Sequence, residues 1–245
     1  MAKPQTILFD LDDTLSHCNK YFDQVSEQFS ATMNDWFGSY SVSPDEIKDK
    51  QVEIDLTYVK QFGLTSEHFK RSFVETYYYF CEQTGKKAEP EDASYLTNLA
   101  MSVYDQQYEP YPHTYEILQS LKEAGHQLHL HTGGEEHIQK KKISQLELAA
   151  YFGNRIFISK HKNTDALRGI LDTLQCDKKT TWMVGNSLRT DILPALELGI
   201  NAIHIPAENE WEYNNIRIDI QHEGIYETVP SLLDVPSILA KHQNE

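Results

Sequence analysis

Cysteine is scarce: Cys18, Cys81 and Cys176 are an odd number, far apart, with no CxxC pair. Such usage excludes a disulfide framework or structural zinc motif and points to a reducing compartment. Long apolar runs are also missing. The first, Ile7-Leu8-Phe9, gives way at once to acids, too short for a secretory signal core, and no later stretch reaches membrane-spanning length. Cations are outnumbered, 22 Lys and Arg against 37 Asp and Glu, for a net charge of −15. That surplus repels phosphate backbones and anionic lipid, so neither nucleic acid nor a membrane is an expected partner. The eleven histidines lack an HExxH or comparable spacing, so they read as surface or packing residues rather than zinc ligands. No internal repeat is visible. The expectation is a cytoplasmic protein whose 245 residues, 40% of them hydrophobic, form one core with a sizeable insertion or two small domains.

From about residue 111 onward, short apolar runs alternate with amphipathic stretches of helical length, as in a parallel sheet with crossover helices. Predicted strands are 127–131, 155–158, 181–184 and 202–205, with Thr6–Phe9 isolated at the far N-terminus. Gly125 and Gly199 follow helical stretches and supply their closing residues. Residues 16–108 differ in character and carry almost no strand signal. Pro44-Asp45-Glu46 and Thr65-Ser66-Glu67 read as helix starts and Gly85 as a stop. Phe69, Phe73, Val74, Tyr77 and Phe80 recur at spacings that mark one helix face. The prolines of Tyr108-Glu109-Pro110-Tyr111-Pro112 mark the return to the α/β part.

Directly after the first strand comes Asp10-Leu11-Asp12-Asp13-Thr14-Leu15. Three carboxylates at the carboxyl end of a buried strand sit where open α/β sheets hold ligands. They repel one another unless a cation or backbone donors neutralise them, and oxygen-only ligands suit magnesium. Taken alone, Asp-Asp-Thr after a strand also reads as a turn or helix cap. Three further signals follow in order at predicted strand ends. Thr132-Gly133-Gly134 offers a hydroxyl and glycines whose backbone N–H groups can approach an anion. Lys160 and Lys162 both precede a helix for which Thr164 is a candidate cap. Gly185-Asn186-Ser187-Leu188-Arg189-Thr190-Asp191 follows the strand at 181–184.

In these four stretches the chain resembles the haloacid dehalogenase superfamily of phosphatases and phosphotransferases. Asp10, Asp12 and Thr14 match its Asp-x-Asp-x-Thr motif, Thr132 its phosphate-binding hydroxyl, Lys162 its lysine, and Asp191 the second acid of Gly-Asp-x-x-x-x-Asp. Gly133 stands where the family commonly has Asn, the proline usual after the lysine is missing, and Asn186 replaces an acid. The resemblance implies a Rossmann-like α/β core of parallel strands with helices on both faces, residues 1–15 and 109–245, with an all-α cap, residues 16–108, inserted after the first motif. It also implies that Asp10 attacks phosphorus, forming an aspartyl-phosphate, and that Asp12 is the general acid and then base. The family's true dehalogenases lack the second aspartate, so Asp12 argues for phosphorus chemistry.

On this reading Thr132, Gly133 and Lys162 bind phosphate, while Asp10, the Asp12 backbone carbonyl and Asn186 hold magnesium. Asp191 either joins through water or fixes Lys162. The implied activity is Mg2+-dependent hydrolysis of a small phosphorylated metabolite. Transfer of the phosphoryl group to a sugar hydroxyl, or non-catalytic binding of a phosphorylated ligand, stand as alternatives. The sequence leaves monomer or homodimer open. Substrate choice is expected within 16–108, where Tyr77-Tyr78-Tyr79-Phe80 with Trp36-Phe37 could stack on a flat group, although aromatics at helical spacing read first as packing. Lys140-Lys141-Lys142 after Glu135-Glu136 reads as a solvated helix face. His17 and Cys18 lie next to the first motif without an assigned role, and Trp211 is expected to pack in the loop after the last predicted strand.

Overall fold

In a computed structural model that describes residues 3–242, the alternation after residue 111 becomes a six-stranded parallel sheet. Strand β1 (Thr6–Phe9) is followed by four helices, α1 (Asn19–Phe37), α2 (Pro44–Phe62), α3 (Ser66–Thr84) and α4 (Pro90–Met101). The chain continues through α5 (Thr114–Glu123), β2 (Gln127–Gly133), α6 (Glu136–Gln145), α7 (Ala149–Phe152), β3 (Ile156–Ser159) and α8 (Thr164–Leu174). It ends with β4 (Thr181–Gly185), α9 (Leu193–Glu197), β5 (Asn201–His204), β6 (Tyr226–Thr228) and α10 (Val235–Lys241).

Two compact units result, Met1–Asn19 with Tyr108–Glu245, and Lys20–Gln107. Residues 16–19 join the sheet unit for identifiable reasons. His17 N donates to Glu109 O at 3.0 Å and Tyr111 N to Leu15 O at 2.9 Å, tying the exit strand to the returning one.

The sheet order is β3-β2-β1-β4-β5-β6. The chain runs outward from β1 through β2 to β3, then returns to place β4 on the other side of β1. That reversal puts the carboxyl ends of β1 and β4 at the switch point where such sheets bind ligands. Alternation along β1 explains its burial: Leu8 joins Leu167, Ile170, Met183, Ile192 and Ala202 in one cluster, while Phe9 meets Phe152 edge-on at 6.5 Å. Gly125 and Gly199 take positive φ angles of 86° and 72° after α5 and α9. The final strand β6 carries no apolar run, which is why the sequence gives no sign of it.

In the helical unit, Ser43 and Glu46 form a reciprocal capping box at the start of α2, and the Thr65 side chain caps α3. Phe29 and Phe73 pack at 4.1 Å, Trp36 and Tyr77 at 5.5 Å. Tyr77 also donates to Asp92 at 2.9 Å, and Lys86 pairs with Asp92 while its ammonium sits over Trp36, Phe37 and Tyr77. These rings are therefore occupied by one another and by Lys86, the packing role. Val74 is only half-buried, and Tyr78 and Tyr79 are exposed, because α3 turns its buried stripe through Phe69, Phe73, Tyr77 and Phe80.

Candidate active site

Asp10 continues β1, its N–H donating to Val184 O at 2.9 Å, and its side chain is buried. Thr14 Oγ1 lies 3.1 Å from Asp10 Oδ2 and accepts from Asn186 N at 3.0 Å, so the turn after β1 is stitched to the end of β4. Lys162, from the loop after β3, pairs its ammonium with both Asp10 and Asp191. Lys160 is exposed. The helix cap beside Lys162 is Asn163, whose side chain accepts from Ala166 N at 3.0 Å, and not Thr164, which is already the first residue of α8.

Asp191 is fully buried, with Oδ2 accepting from Ser187 N at 3.0 Å and the other oxygen on Lys162. A turn of π-helix, Leu188–Ile192, carries it back against Gly185. A Cβ at Gly185 would meet Asp191 Oδ2 at 2.3 Å, so only glycine leaves room for the carboxylate. Of the two roles open to Asp191, its occupied oxygens match the fixing of Lys162.

Asp12 is held from the other side. Lys142 Nζ donates to Asp12 Oδ1 at 2.7 Å, and Gln139 Nε2 reaches Asp12 Oδ2 and Thr132 Oγ1, both at 2.8 Å. Lys142 is therefore no part of a solvated face. Its side chain is 5% exposed and runs past Tyr108, whereas Lys140 remains at the surface paired with Glu136. The reason is helical geometry: Gln139, Lys142 and Ile143 form the buried stripe of α6. Sequence reasoning missed Gln139 and Lys142, and the signal was Ile143, the apolar residue sharing their face. It also missed Glu210, whose carboxylate accepts from Asn186 Nδ2 at 3.1 and 3.3 Å.

Asp13 has a local role. In a left-handed conformation, with φ of 59°, it accepts from Cys18 N at 2.9 Å and from Asn19 N at 2.9 and 3.2 Å, at the start of α1. Thus one of the three acids caps a helix and the other two face the site. Gly133 ends β2, and its carbonyl lies 2.5 Å from Gln139 Nε2, whose two hydrogens are shared among this oxygen, Asp12 Oδ2 and Thr132 Oγ1. Gly134 spends its N–H on Ser159 O at 3.0 Å, so that donor belongs to the sheet and not to an anion. His17 stacks on Tyr111 at 4.0 Å, Cys18 lies 3.4 Å from Lys142 Nζ, and Trp211 packs on Tyr213 at 4.8 Å.

Burial pushes the Asp10 carboxyl up to about 8, with Lys162 opposing and Asp191 and Asp12 adding to the rise. Burial alone would lower Lys162 and Lys142. Lys162, beside Asp10 and Asp191, and Lys142, beside Asp12, are instead held above the ordinary lysine range. Two ammoniums thus face four carboxylates, Asp10, Asp12, Asp191 and Glu210.

Carboxyl groups outnumber ammoniums here, and a divalent cation would offset both that excess and the burial that raises Asp10. Among the described residues no group of three His, Cys, Asp or Glu is arranged to hold a metal. The oxygens that Thr14 Oγ1 brings together, those of Asp10 and of the Asn186 amide, are of the kind that suits a hard ion such as magnesium. No helix among the described residues is long and apolar enough to cross a membrane.

No curated protein matches the sequence. Among solved structures, a haloacid dehalogenase-like family hydrolase from Xanthomonas campestris is similar, with a TM-score of 0.79, 21% identity, and coverage of 99% of this chain and 93% of that one. A HAD phosphatase from Thermococcus onnurineus gives a TM-score of 0.60 at 19% identity, covering 96% and 97%. A 2-haloacid dehalogenase from Pseudomonas syringae gives 0.58 at 17%, covering 98% and 99%. At these identities the likeness shows the fold, and both phosphatase and dehalogenase share it. The family model described as haloacid dehalogenase-like hydrolase matches residues 4–199. With that match over most of its length, the chain belongs to the haloacid dehalogenase-like hydrolases.

Proposed function

We propose that this chain is a magnesium-dependent phosphatase that hydrolyses a small phosphomonoester through an aspartyl-phosphate on Asp10. The observation that carries the reading is the second carboxyl. Asp12 stands two residues past Asp10 and is held by Lys142 at 2.7 Å and Gln139 at 2.8 Å, a fixed group for moving a proton. Displacing halide from a carbon needs no such group at this position, whereas an alkoxide leaving phosphorus needs a proton.

In the first step an Asp10 oxygen forms a bond to phosphorus, the ester P–O bond breaks, and Asp12, which enters carrying a proton taken from solvent in place of its contact with Gln139, gives that proton to the leaving oxygen. In the second, Asp12 takes a proton from water, whose oxygen bonds to phosphorus as the Asp10–phosphorus bond breaks, releasing phosphate. Lys162, held by Asp191, places an ammonium against phosphoryl charge. Gln139 donates to Thr132 Oγ1, which leaves the Thr132 hydroxyl hydrogen for a phosphoryl oxygen beside the Gly133 backbone. Magnesium, held by Asp10, Asn186 and the Asp12 carbonyl, would screen the phosphoryl group from the carboxylate that attacks it.

The test is phosphate release from p-nitrophenyl phosphate with magnesium, with EDTA, and in Asp10→Asn, beside halide release from 2-chloropropionate. The expected result is magnesium-dependent phosphate release that falls at least about 10^3-fold in Asp10→Asn, with no halide release. Halide release with no phosphatase activity across a panel of sugar, nucleoside and acid phosphates would overturn the reading.

A further inference from the structure

Asn186 replaces a carboxylate at the end of β4, and the loop after β5 returns one. Both oxygens of Glu210 accept from Asn186 Nδ2, and the same carboxylate accepts from Asn214 Nδ2 at 2.7 Å and Ala207 N at 3.3 Å. The loop itself is tied to the turn after β4. Ser187 Oγ donates to Asn214 Oδ1 at 2.9 Å, and Arg189 Nε donates to Tyr213 O at 2.6 Å with its guanidinium over the Tyr213 ring. At a second point Asn19 Nδ2 donates to Asn209 O at 2.7 Å. Glu210 is thus fixed by donors on both sides, and its placement is a built feature of this loop.

A carboxylate can only accept, so it faces the NH2 end of the amide and forces the oxygen the other way. That oxygen lies 3.3 Å from Thr14 Oγ1, the hydroxyl that bonds Asp10. His204 Nε2 also meets the Asn186 carbonyl at 2.8 Å, which pins the backbone from which the amide projects. Without a carboxylate on its far side, an amide can turn over and offer the cation two hydrogens in place of an oxygen lone pair. The pair Asn186 and Glu210 also carries the single negative charge that an acid at position 186 would carry alone.

We propose that Glu210 is a positioning residue for the cation site: it holds the Asn186 amide oxygen toward Asp10 and supplies, one residue further out, the charge missing at position 186. The inference rests on the magnesium reading above. It predicts a dependence on residue 186 that a purely structural contact does not produce. When position 186 is Asn, removing the Glu210 charge weakens cation binding, because the amide is no longer held and the charge is lost. When position 186 is Asp, the acid brings its own oxygen and charge and has no amide to hold, so removing the Glu210 charge weakens binding much less.

The experiment measures magnesium affinity by titration calorimetry, and metal-free melting temperature by scanning calorimetry, for the wild type, Glu210→Gln, Asn186→Asp and the double variant. Expected are a loss of about tenfold or more in affinity for Glu210→Gln, and a loss within about threefold for the double variant relative to Asn186→Asp. The melting temperature serves only to show that each variant is folded. A wild type that binds magnesium, with Glu210→Gln binding equally well or losing the same factor whether residue 186 is Asn or Asp, overturns the role of Glu210 and leaves the magnesium reading standing. A wild type without measurable affinity at millimolar magnesium overturns both. Should Glu210→Gln fail to fold, Glu210→Asp replaces it, since it keeps the charge but draws the carboxylate away from Asn186: weaker magnesium binding is expected, and unchanged affinity overturns the role.

Discussion

On the β2 side of β1, the acids that follow the strand meet hydrogen-bond donors: Lys142 and Gln139 close on Asp12, and Lys162 comes in beyond them onto Asp10. On the β4 side the groups that arrive are acceptors, with Asp191 turned onto Lys162 and Glu210 behind Asn186. One flank is neutralised by the protein itself, while the other adds negative charge. On the proposed mechanism the difference separates two tasks that the motif places only two residues apart. Asp12 is gripped by an ammonium and an amide, which would orient a group that passes a proton. Asp10 shares its one ammonium with Asp191, which would leave charge for a divalent ion to balance.

The sharpest way to break this comparison is to remove the ammonium from the donor flank. Lys142→Met keeps the length of the stem past Tyr108 but leaves Asp12 with Gln139 alone. Breaking a buried pair costs about 3–5 kcal/mol, and the lower end applies because the Asp12 side chain is a quarter exposed. We expect a loss of about 3 kcal/mol in urea unfolding and a fall in kcat on p-nitrophenyl phosphate of the order of 10^2-fold. A folded variant with unchanged kcat would show that Lys142 only packs, and the two flanks would no longer differ in function.

The matching perturbation on the acceptor flank is Gly185→Ala. The new methyl would occupy the position of the Asp191 carboxylate, so β4 or the π-turn must move. Overpacking of this kind costs about 1–3 kcal/mol, and the upper part of the range is expected because the obstacle is a pinned, buried group. Its measurement is the urea midpoint. An unchanged midpoint would mean that the turn carrying Asp191 shifts freely, which is incompatible with its role in fixing Lys162.

The donor flank is also dry. His129 on β2 is almost completely buried beside Phe157, and burial, with Arg155 nearby, lowers it to about 4. The native state therefore needs the neutral ring. As pH falls from about 6.5 toward 4 the unfolded chain gains a proton that the native chain refuses, and stability drops by up to about 1.4 kcal/mol per pH unit. Asp13, whose buried carboxyl is pushed up to about 7, works in the opposite sense over part of that range, so the total is not diagnostic. What isolates the ring is the difference between the wild type and His129→Phe. The wild type should lose ground to the variant by about 2 kcal/mol between pH 6.5 and pH 4.5. A difference independent of pH would mean that His129 reaches solvent when protonated.

Much of the acceptor flank was legible in the sequence because the chain writes it locally. A short apolar run, a glycine and a polar turn give β4 and Asn186, a similar run before Gly133 and Gly134 gives β2 with Thr132, and in β1 the run ends directly on Asp10. The donor flank was not, because Lys142 stands in a run of three lysines whose average character is that of a surface. Only the i, i+3, i+4 relation of Gln139, Lys142 and Ile143 separates it from its neighbours. Glu210 was hidden for another reason: it reaches the site through a loop whose course depends on contacts with Asn19, Ser187 and Arg189, and no local spacing encodes those. Strand β6, three residues of Tyr226-Glu227-Thr228, pairs only because β5 offers it an edge.

The smallest expected effect sharpens the comparison where the two flanks meet, at Lys162. Its ammonium contacts acids from both sides of the site, but its backbone is set by the start of α8, where Asn163 caps the helix by accepting from Ala166 N. Asn163→Ala removes that acceptor and nothing else near the acids, at a cost of about 1 kcal/mol. If the buried ion pairs fix Lys162, stability should fall by that amount while the KM for p-nitrophenyl phosphate stays within about twofold. If the cap fixes it, KM should rise with the loss of stability, because the ammonium is expected to meet phosphate. Joint measurement of the urea midpoint and KM distinguishes the two. We expect the first, since two carboxylates grip the ammonium in a buried site, whereas the Asn163 cap is exposed to solvent.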